Sequence, residues 1–345
     1  MKVIRKCVLG MVFLGLASIK TLGQQVAQYS QYMSNSVIVN PAVAGIESYT
    51  DIRSSFRKQW VGLEGSPISF YTSAHTSIGK NDRNATTRSK FRKSAIATPK
   101  STGVNKNNRF YRVNPHHGVG AIVQVDKAGL LNTSSVNFLY SYHLPITSEL
   151  NVASGISAGA LRTSFNAKEA RAVDATDPAL QGSYVSTLKP DISVGVWVYT
   201  PTAFLGVSGT QLISSGDDFK DAYSTVISGR MQPHFYITGG YRFKVNRGVM
   251  LTPSIMYRKA TGTPASIDLN VKAMYSERMW VGLSYRNKDS FTVLGGLFVS
   301  PLLDFGYSYD LNTSDLNATN AGSHEILVGF KLNNKRNIIC PQWIW

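Results

Sequence analysis

Side chains able to do chemistry are few and scattered. The six histidines are His75, His116, His117, His143, His234 and His324. Only His116 and His117 are adjacent, and neighbours on an extended strand point to opposite faces, so they make a poor metal pair. No P-loop or H-E-x-x-H helix occurs. A hydrolase on the rim of a sheet needs Ser, His and an acid together, and His143 is the one defensible candidate for it. Asp217, Asp218 and Asp221 cluster in a link and offer weak calcium ligation, although an exposed acidic loop is the commoner explanation. The expectation is a protein that is not an enzyme and needs no cofactor. What the chain does concentrate is positive charge. Between residues 80 and 117 stand ten basic residues, Lys80, Arg83, Arg88, Lys90, Arg92, Lys93, Lys100, Lys106, Arg109 and Arg112, against the single acid Asp82. Rich in Asn, Ser and Thr, this segment reads as extended and flexible. It is either a solvated loop or an arm that docks to an acidic surface. It lacks the RNP-like motif or stacking platform of a nucleic-acid reader, so no nucleic acid is implied.

The elements that must carry these residues are strands. From about residue 50 onward apolar residues alternate with polar ones at period two. Ile267, Leu269, Val271, Ala273 and Tyr275 alternate with Asp268, Asn270 and Lys272. Phe305, Tyr307 and Tyr309 alternate with Asp304, Gly306, Ser308 and Asp310, and Val136, Phe138, Tyr140 and Tyr142 with Asn137, Ser141 and His143. About 14 such segments follow one another between residues 50 and 332, each near the length of about 9 to 11 residues that a tilted membrane strand requires. A soluble β-sandwich would solvate one face with charge. Here the polar faces are mostly Gly, Ser and Thr, and only 16% of all residues are charged, against about 25% in soluble domains. The expected fold is therefore all-β, a transmembrane antiparallel β-barrel of about 14 strands. Trp60, Tyr199, Tyr257, Tyr275 and Trp280 stand toward strand ends, where an aromatic girdle is expected. Membrane barrels have short periplasmic turns and longer outer loops, which puts the short links near 145–148, 200–202, 245–248, 276–278 and 300–302 inside. The longer links at 163–189, 213–232 and 313–322 then lie outside, and the basic insertion at 80–117 falls on the periplasmic side.

The N-terminus agrees on compartment. Lys2, Arg5 and Lys6 precede an apolar run from Cys7 to Ala17 and a small-residue site ending at Gly23. This is the order of a cleaved secretory signal, and a run of 11 apolar residues is too short to span a bilayer. Cleavage would leave Cys340 as the only cysteine, so the mature chain forms no internal disulfide. The expected organisation is a signal peptide over 1–23, a periplasmic or plug segment over 24–46, a barrel over 47–332 with the basic insertion, and an extension over 333–345. Arg53, Arg57, Arg242 and Arg258 would favour anions if they lined an open lumen, whereas small Gly and Ser inner faces would equally accept an ordered plug. Of the formal net charge of +16, most belongs to the signal and the basic arm, which leaves the barrel nearly neutral.

Two blocks of residues resemble a known family. Gln28-Tyr29-Ser30-Gln31-Tyr32-Met33 followed by Val39-Asn40-Pro41-Ala42-Val43-Ala44-Gly45, then Phe56 to Gly62 around Trp60, resembles the start of mature PorP/SprF proteins of the Bacteroidetes type IX secretion system. Near the other end, Gly306 to Asp310, Gly322-Ser323-His324-Glu325-Ile326 and Cys340-Pro341 are similar to that family too. Ser36 stands where the family usually has Pro, Val43 where an aromatic is common, and the 80–117 segment is much longer than the family's turn. The resemblance implies a Gram-negative outer-membrane barrel that binds periplasmic or outer-membrane type IX secretion components, sits among outer-membrane lipids, and helps to secrete or attach a cell-surface adhesin for gliding. Its motif residues here are Gln28, Tyr29, Gln31, Tyr32, Asn40, Pro41, Gly45, Trp60, Gly62, Ser323, His324 and Glu325. Arg83, Arg88, Lys90, Arg92, Lys93, Lys100, Lys106, Arg109 and Arg112 become the candidate docking residues. The alternative function is an outer-membrane porin or solute channel.

Overall fold

The computed structural model describes residues 28–80, 115–147, 149–165, 185–213, 216–219, 227–230, 232–246, 248–261, 263–287, 289–313 and 320–334. Seventeen strands occur among them: β1 (Thr50–Lys58), β2 (Ile68–Ile78), β3 (His116–Ala128), β4 (Leu131–Pro145), β5 (Asn151–Phe165), β6 (Val185–Tyr199), β7 (Ala203–Thr210), β8 (Gly216–Phe219), β9 (Ile227–Arg230), β10 (His234–Tyr241), β11 (Phe243–Lys244), β12 (Val249–Ala260), β13 (Ser266–Tyr275), β14 (Met279–Arg286), β15 (Ser290–Phe298), β16 (Leu303–Asn312) and β17 (Ser323–Leu332). β8 and β9 pair only with each other, as a hairpin in the link after β7. The rest form one antiparallel sheet in which each strand pairs with its sequence neighbour, and β1 pairs with β17 to close it. β10 and β11 are one barrel strand interrupted at Arg242, and both pair with β12. Pro253 of β12 lies at the interruption, where it has no N–H to give the ladder. The result is a closed barrel of fourteen strands.

Period-two alternation decides the two faces. Along β14 every second residue is buried, so Met279, Val281, Leu283 and Tyr285 point outward and Trp280, Ser284 and Arg286 inward. On β13 Leu269 and Val271 face out, while Asp268, Asn270 and Lys272 face in. The outward side is thus an apolar band suited to lipid. No helix among the described residues is long and apolar enough to cross a membrane.

The girdle expectation needs correcting at two positions. Tyr257 and Tyr275 face outward, but Tyr199 and Trp280 are only 2% and 5% exposed and point into the lumen. Strand parity is the reason, because Trp280 lies between the outward Met279 and Val281. Inside, the Lys272 ammonium sits 4.3 Å from the centre of the Trp280 ring. Trp60 stands in the link between β1 and β2 rather than on a strand.

The ends of the barrel differ in their connections. The links between β4 and β5, β6 and β7, β11 and β12, β13 and β14, and β15 and β16 are short and share one end, hereafter the short-turn end. The opposite, long-link end carries the long links after β5, β7 and β16 together with the short β3–β4 and β14–β15 turns. The long link from β2 to β3 departs from this end at Lys80 and returns to it at Pro115. The docking candidates from Arg83 to Arg112, the signal segment and Cys340 lie outside the described residues. A cation placed on the lipid face at mid-strand should cost about 2–4 kcal/mol of folding free energy. Val271→Arg, measured by urea titration of folding into lipid vesicles, is expected to lose that amount, whereas Val271→Ile stays near wild type.

Candidate functional site: a plugged lumen

The chain before β1 occupies the barrel interior. Residues 28–49 make three short 3-10 turns, Tyr32–Ser34, Ser36–Ile38 and Pro41–Val43. Pro41 opens the third turn, with Asn40 extended before it (φ −144°, ψ 109°) and the Asn40 side chain accepting from the Ala42 N–H at 3.0 Å. Pro at the first helical position and Asn as its cap explain why the turn forms there. Gly45, at φ +68°, ends it in a left-handed conformation that other residues resist. Such short turns leave backbone groups unsatisfied, and burial makes that costly. The barrel wall supplies the partners.

The partners run from one end of the lumen to the other. Toward the long-link end, the Arg286 guanidinium donates to Gln28 Oε1 at 2.9 Å, and the Ser30 N–H donates to Glu325 Oε2 at 2.7 Å. The Ser30 hydroxyl donates to Asp310 at 2.7 Å, and the Gln31 amide to the Glu325 backbone carbonyl at 3.0 Å. Midway, Asn270 donates to the Tyr32 hydroxyl at 2.7 Å and Asn35 to the Ser73 hydroxyl at 2.8 Å. Farther on, the Asn40 amide reaches the carbonyls of Val196 and Val207 at 3.1 and 3.3 Å, which ties β6 to β7. Ser208 donates to the Val39 carbonyl and Ser141 to the Ala44 carbonyl, each at 2.6 Å. At the short-turn end Lys80 donates to the Ile46 carbonyl.

Shape matches as well as polarity. A methyl group added at Gly118 would overlap the Ala44 carbonyl, and one at Gly155 the backbone of Ala42. These wall positions stay bare so that two backbones can touch. Val37, Ala42, Val43, Ala44 and Ile46 pack with Ile122, Leu139 and Trp197, while Tyr32 and Met33 pack with Met256, Trp280 and Phe298. Burial pushes the phenols of Tyr29, Tyr32 and Tyr49 above their ordinary range, so the plug carries neutral hydroxyls into the lumen.

Several of the charges inside the lumen are paired with one another. Arg53 binds Asp51 at 3.0 Å and Asp304 at 3.4 Å, and Lys331 reaches Asp304 at 3.2 Å. Arg57 binds Asp310 at 2.6 Å and Glu325 at 3.4 Å, and Arg286 binds Asp268 at 3.1 Å. Arg53 and Arg57 therefore do not line an open anion path, and the expectation that they would is corrected. Their neutralisation follows from burial, since an unpaired ion at such a site is expensive. His143 is not poised for hydrolysis either: one ring nitrogen meets the Ala44 carbonyl at 2.7 Å and the other the Tyr199 hydroxyl at 3.0 Å. His116 is buried, whereas His117 is exposed and meets the Tyr140 hydroxyl at 2.8 Å. Among the described residues no group of three or more His, Cys, Asp or Glu could hold a metal. The side chains of Asp217 and Asp218, and all of Asp221, lie outside the described set.

The motif residues from the two ends of the sequence meet in this site. Gln28, Tyr29, Gln31, Tyr32, Asn40, Pro41 and Gly45 are plug residues, and Glu325 is the wall group that receives Ser30 and Gln31. Trp60 and Gly62 belong to a separate cluster at the long-link end. There the Trp60 N–H donates to the Ser323 hydroxyl at 3.1 Å, and the Val61 N–H to the Gly322 carbonyl at 2.9 Å. His324 faces outward, 2.6 Å from the Tyr307 hydroxyl. Sequence reasoning missed Gly118, Gly155, His75, Asp268 and Arg286 as plug and lumen residues. Inward parity flags all of them, but parity does not say what they meet.

Together these features define a fourteen-strand outer-membrane β-barrel closed by its own N-terminal segment. The family model described as type IX secretion system membrane protein PorP/SprF matches residues 21–330, and the chain belongs to that family. It is thereby an outer-membrane protein of the PorP/SprF type and not an enzyme. No curated protein matches the sequence. Among solved structures it is similar to the Acinetobacter baumannii outer membrane protein Omp33 (8% identity, 84% of this chain and 100% of that one, TM-score 0.45). The Ralstonia pickettii toluene transporter TbuX is similar at 11% identity, over 87% and 93% of the two chains, with a TM-score of 0.48. At such scores these likenesses carry no argument about function.

Removing one partner of a buried ion pair typically costs about 3–5 kcal/mol. Asp268→Ala leaves the half-exposed Asp289 as the carboxylate within reach of Arg286, beside its bond to Gln28, and should lower the temperature at which the protein's heat-modifiable band shifts on SDS gels. Gly155→Ala should unseat the plug instead, seen as new protease cleavage within residues 28–49 of an otherwise folded barrel.

Proposed function

We propose that this barrel is a non-enzymatic component of the type IX protein secretion and gliding motility machinery, acting through protein contacts. It binds periplasmic or outer-membrane components of that machinery and helps to secrete, or to attach, a cell-surface protein such as an adhesin. The observation that carries this reading is the family match over residues 21–330. The filled lumen supports it over the porin alternative, because a passive channel gains nothing from an interior segment hydrogen-bonded along its length. In this reading residues 1–23 are the export signal of a Gram-negative envelope protein and are removed on export. The short-turn end faces the periplasm, and the basic segment is the arm that docks.

Docking by a basic arm rests on charge complementarity, which steers association and sets specificity. Arg83, Arg88, Lys90, Arg92, Lys93, Lys100, Lys106, Arg109 and Arg112 would supply the charge to an acidic protein surface or to anionic head groups. The links at 163–189, 213–232 and 313–322 would face outward. Deleting residues 83–112 leaves β2 and β3 joined and should leave the barrel's yield and heat-modifiability unchanged. Machinery components should no longer co-purify from membranes, and secretion or gliding should fail while small-solute uptake stays normal. Unchanged recovery of those components would rule the docking arm out.

A further inference from the structure

Three histidines that play no part in the proposed docking meet at one point of the plug. His75, His116 and His143 come from the consecutive strands β2, β3 and β4, and all are buried. The Gly45 N–H donates to His75 Nδ1 at 3.2 Å. A ring nitrogen that accepts carries no proton, so the one proton of His75 is on Nε2, which has no partner among the described residues. His143 Nε2 faces the Ala44 carbonyl, which can only accept, so this nitrogen carries the proton and Nδ1 accepts from the Tyr199 hydroxyl. The ring of His116 stacks on that of His143 with centroids 4.4 Å apart and planes 6° from parallel. The contacts of His75 and His143 are those of neutral rings.

The groups facing the cluster can be named element by element. β1 presents Asp51 and Arg53, paired with each other at 3.0 Å. The segment leaving β2 presents Lys80, bound to the Ile46 carbonyl. β4 adds the Ser141 hydroxyl, 3.2 Å from His143, and β6 adds Tyr199. The plug itself brings Glu47 and Tyr49, both buried, while His117 of β3 faces outward. Protonating His75 would turn its acceptor into a second donor aimed at the Gly45 N–H. Protonating His116 and His143 would stack two like charges close to Lys80.

We propose that His75, His116 and His143 form a proton-operated clasp: neutral, they seat Ala44 and Gly45 against the wall; protonated, they release plug residues 44–49, and the plug, freed at the short-turn end, loosens enough for ions to cross the lumen. The inference concerns the lumen alone and stands or falls independently of the secretion role.

The test is conductance of the purified full-length protein in planar bilayers at pH 7.5 and pH 5.0. Wild type is expected to be nearly closed at pH 7.5, to conduct on the order of tenfold more at pH 5.0, and to close again on return. His75→Gln keeps an oxygen acceptor for Gly45 but does not titrate, and should open less at pH 5.0 than wild type does. His116→Phe keeps a flat ring on His143 without a charge, and should shrink the acid response. It replaces His75→Gln as the deciding variant if the latter lacks the heat-modifiable folded band. A wild-type conductance that does not change with pH would overturn the clasp. So would an acid rise that fails to reverse, or a deciding variant that opens as wild type does.

Discussion

The width of the barrel is the constraint on which the rest depends. A ring of about eight strands can fill its interior with side chains, whereas about sixteen leave a water channel. Fourteen strands lie between, too wide for side chains alone. Here a segment of the same chain completes the core. Because that segment is not a regular helix or strand along its length, its backbone groups need partners from the wall. Those partners set much of the inward-facing sequence, from Ser141 and Ser208 to Asn270 and Glu325. An inner face that would suit water in a porin serves here as a hydrogen-bonding mould.

Buried ions fit the same scheme. Arg53, Arg57 and Arg286 are each met by carboxylates of the wall. Such pairs contribute little net stability against well-packed apolar substitutes, but they strongly penalise arrangements in which one partner is missing. Arg57 and Glu325 also touch Ser30. The ion pairs therefore position the plug as well as join the strands.

Much of the fold was legible in the sequence because membrane strands expose their period. The alternation of Leu269 and Val271 with Asp268 and Asn270 tells which residues face lipid, and links without that alternation mark the turns. The same parity would have assigned Tyr199 and Trp280 to the lumen, but their place near strand ends suggested a girdle. The site was less legible. Gly118 and Gly155 look like weak strand residues until the plug backbone lies against them, and His75 and His143 stand 30 and 99 residues from the Gly45 and Ala44 that they meet. Period two identifies a face and is silent about what a separate segment places against it. The Ser30 and Gln31 contacts with Glu325 join opposite ends of the chain, and no local pattern encodes such a pairing.

The seam between β1 and β17 has a consequence for how the molecule is made. It is where the sheet shuts, with Arg57 opposite Glu325 in register, and both residues hold Ser30 of the plug. The closed wall and its seated contents thus share the same residues, one of them on the last strand. A chain stopped before β17 lacks the rim to close against and the carboxylate that anchors its own first turn. Completeness is checked at one place, by the same atoms that later hold the interior still.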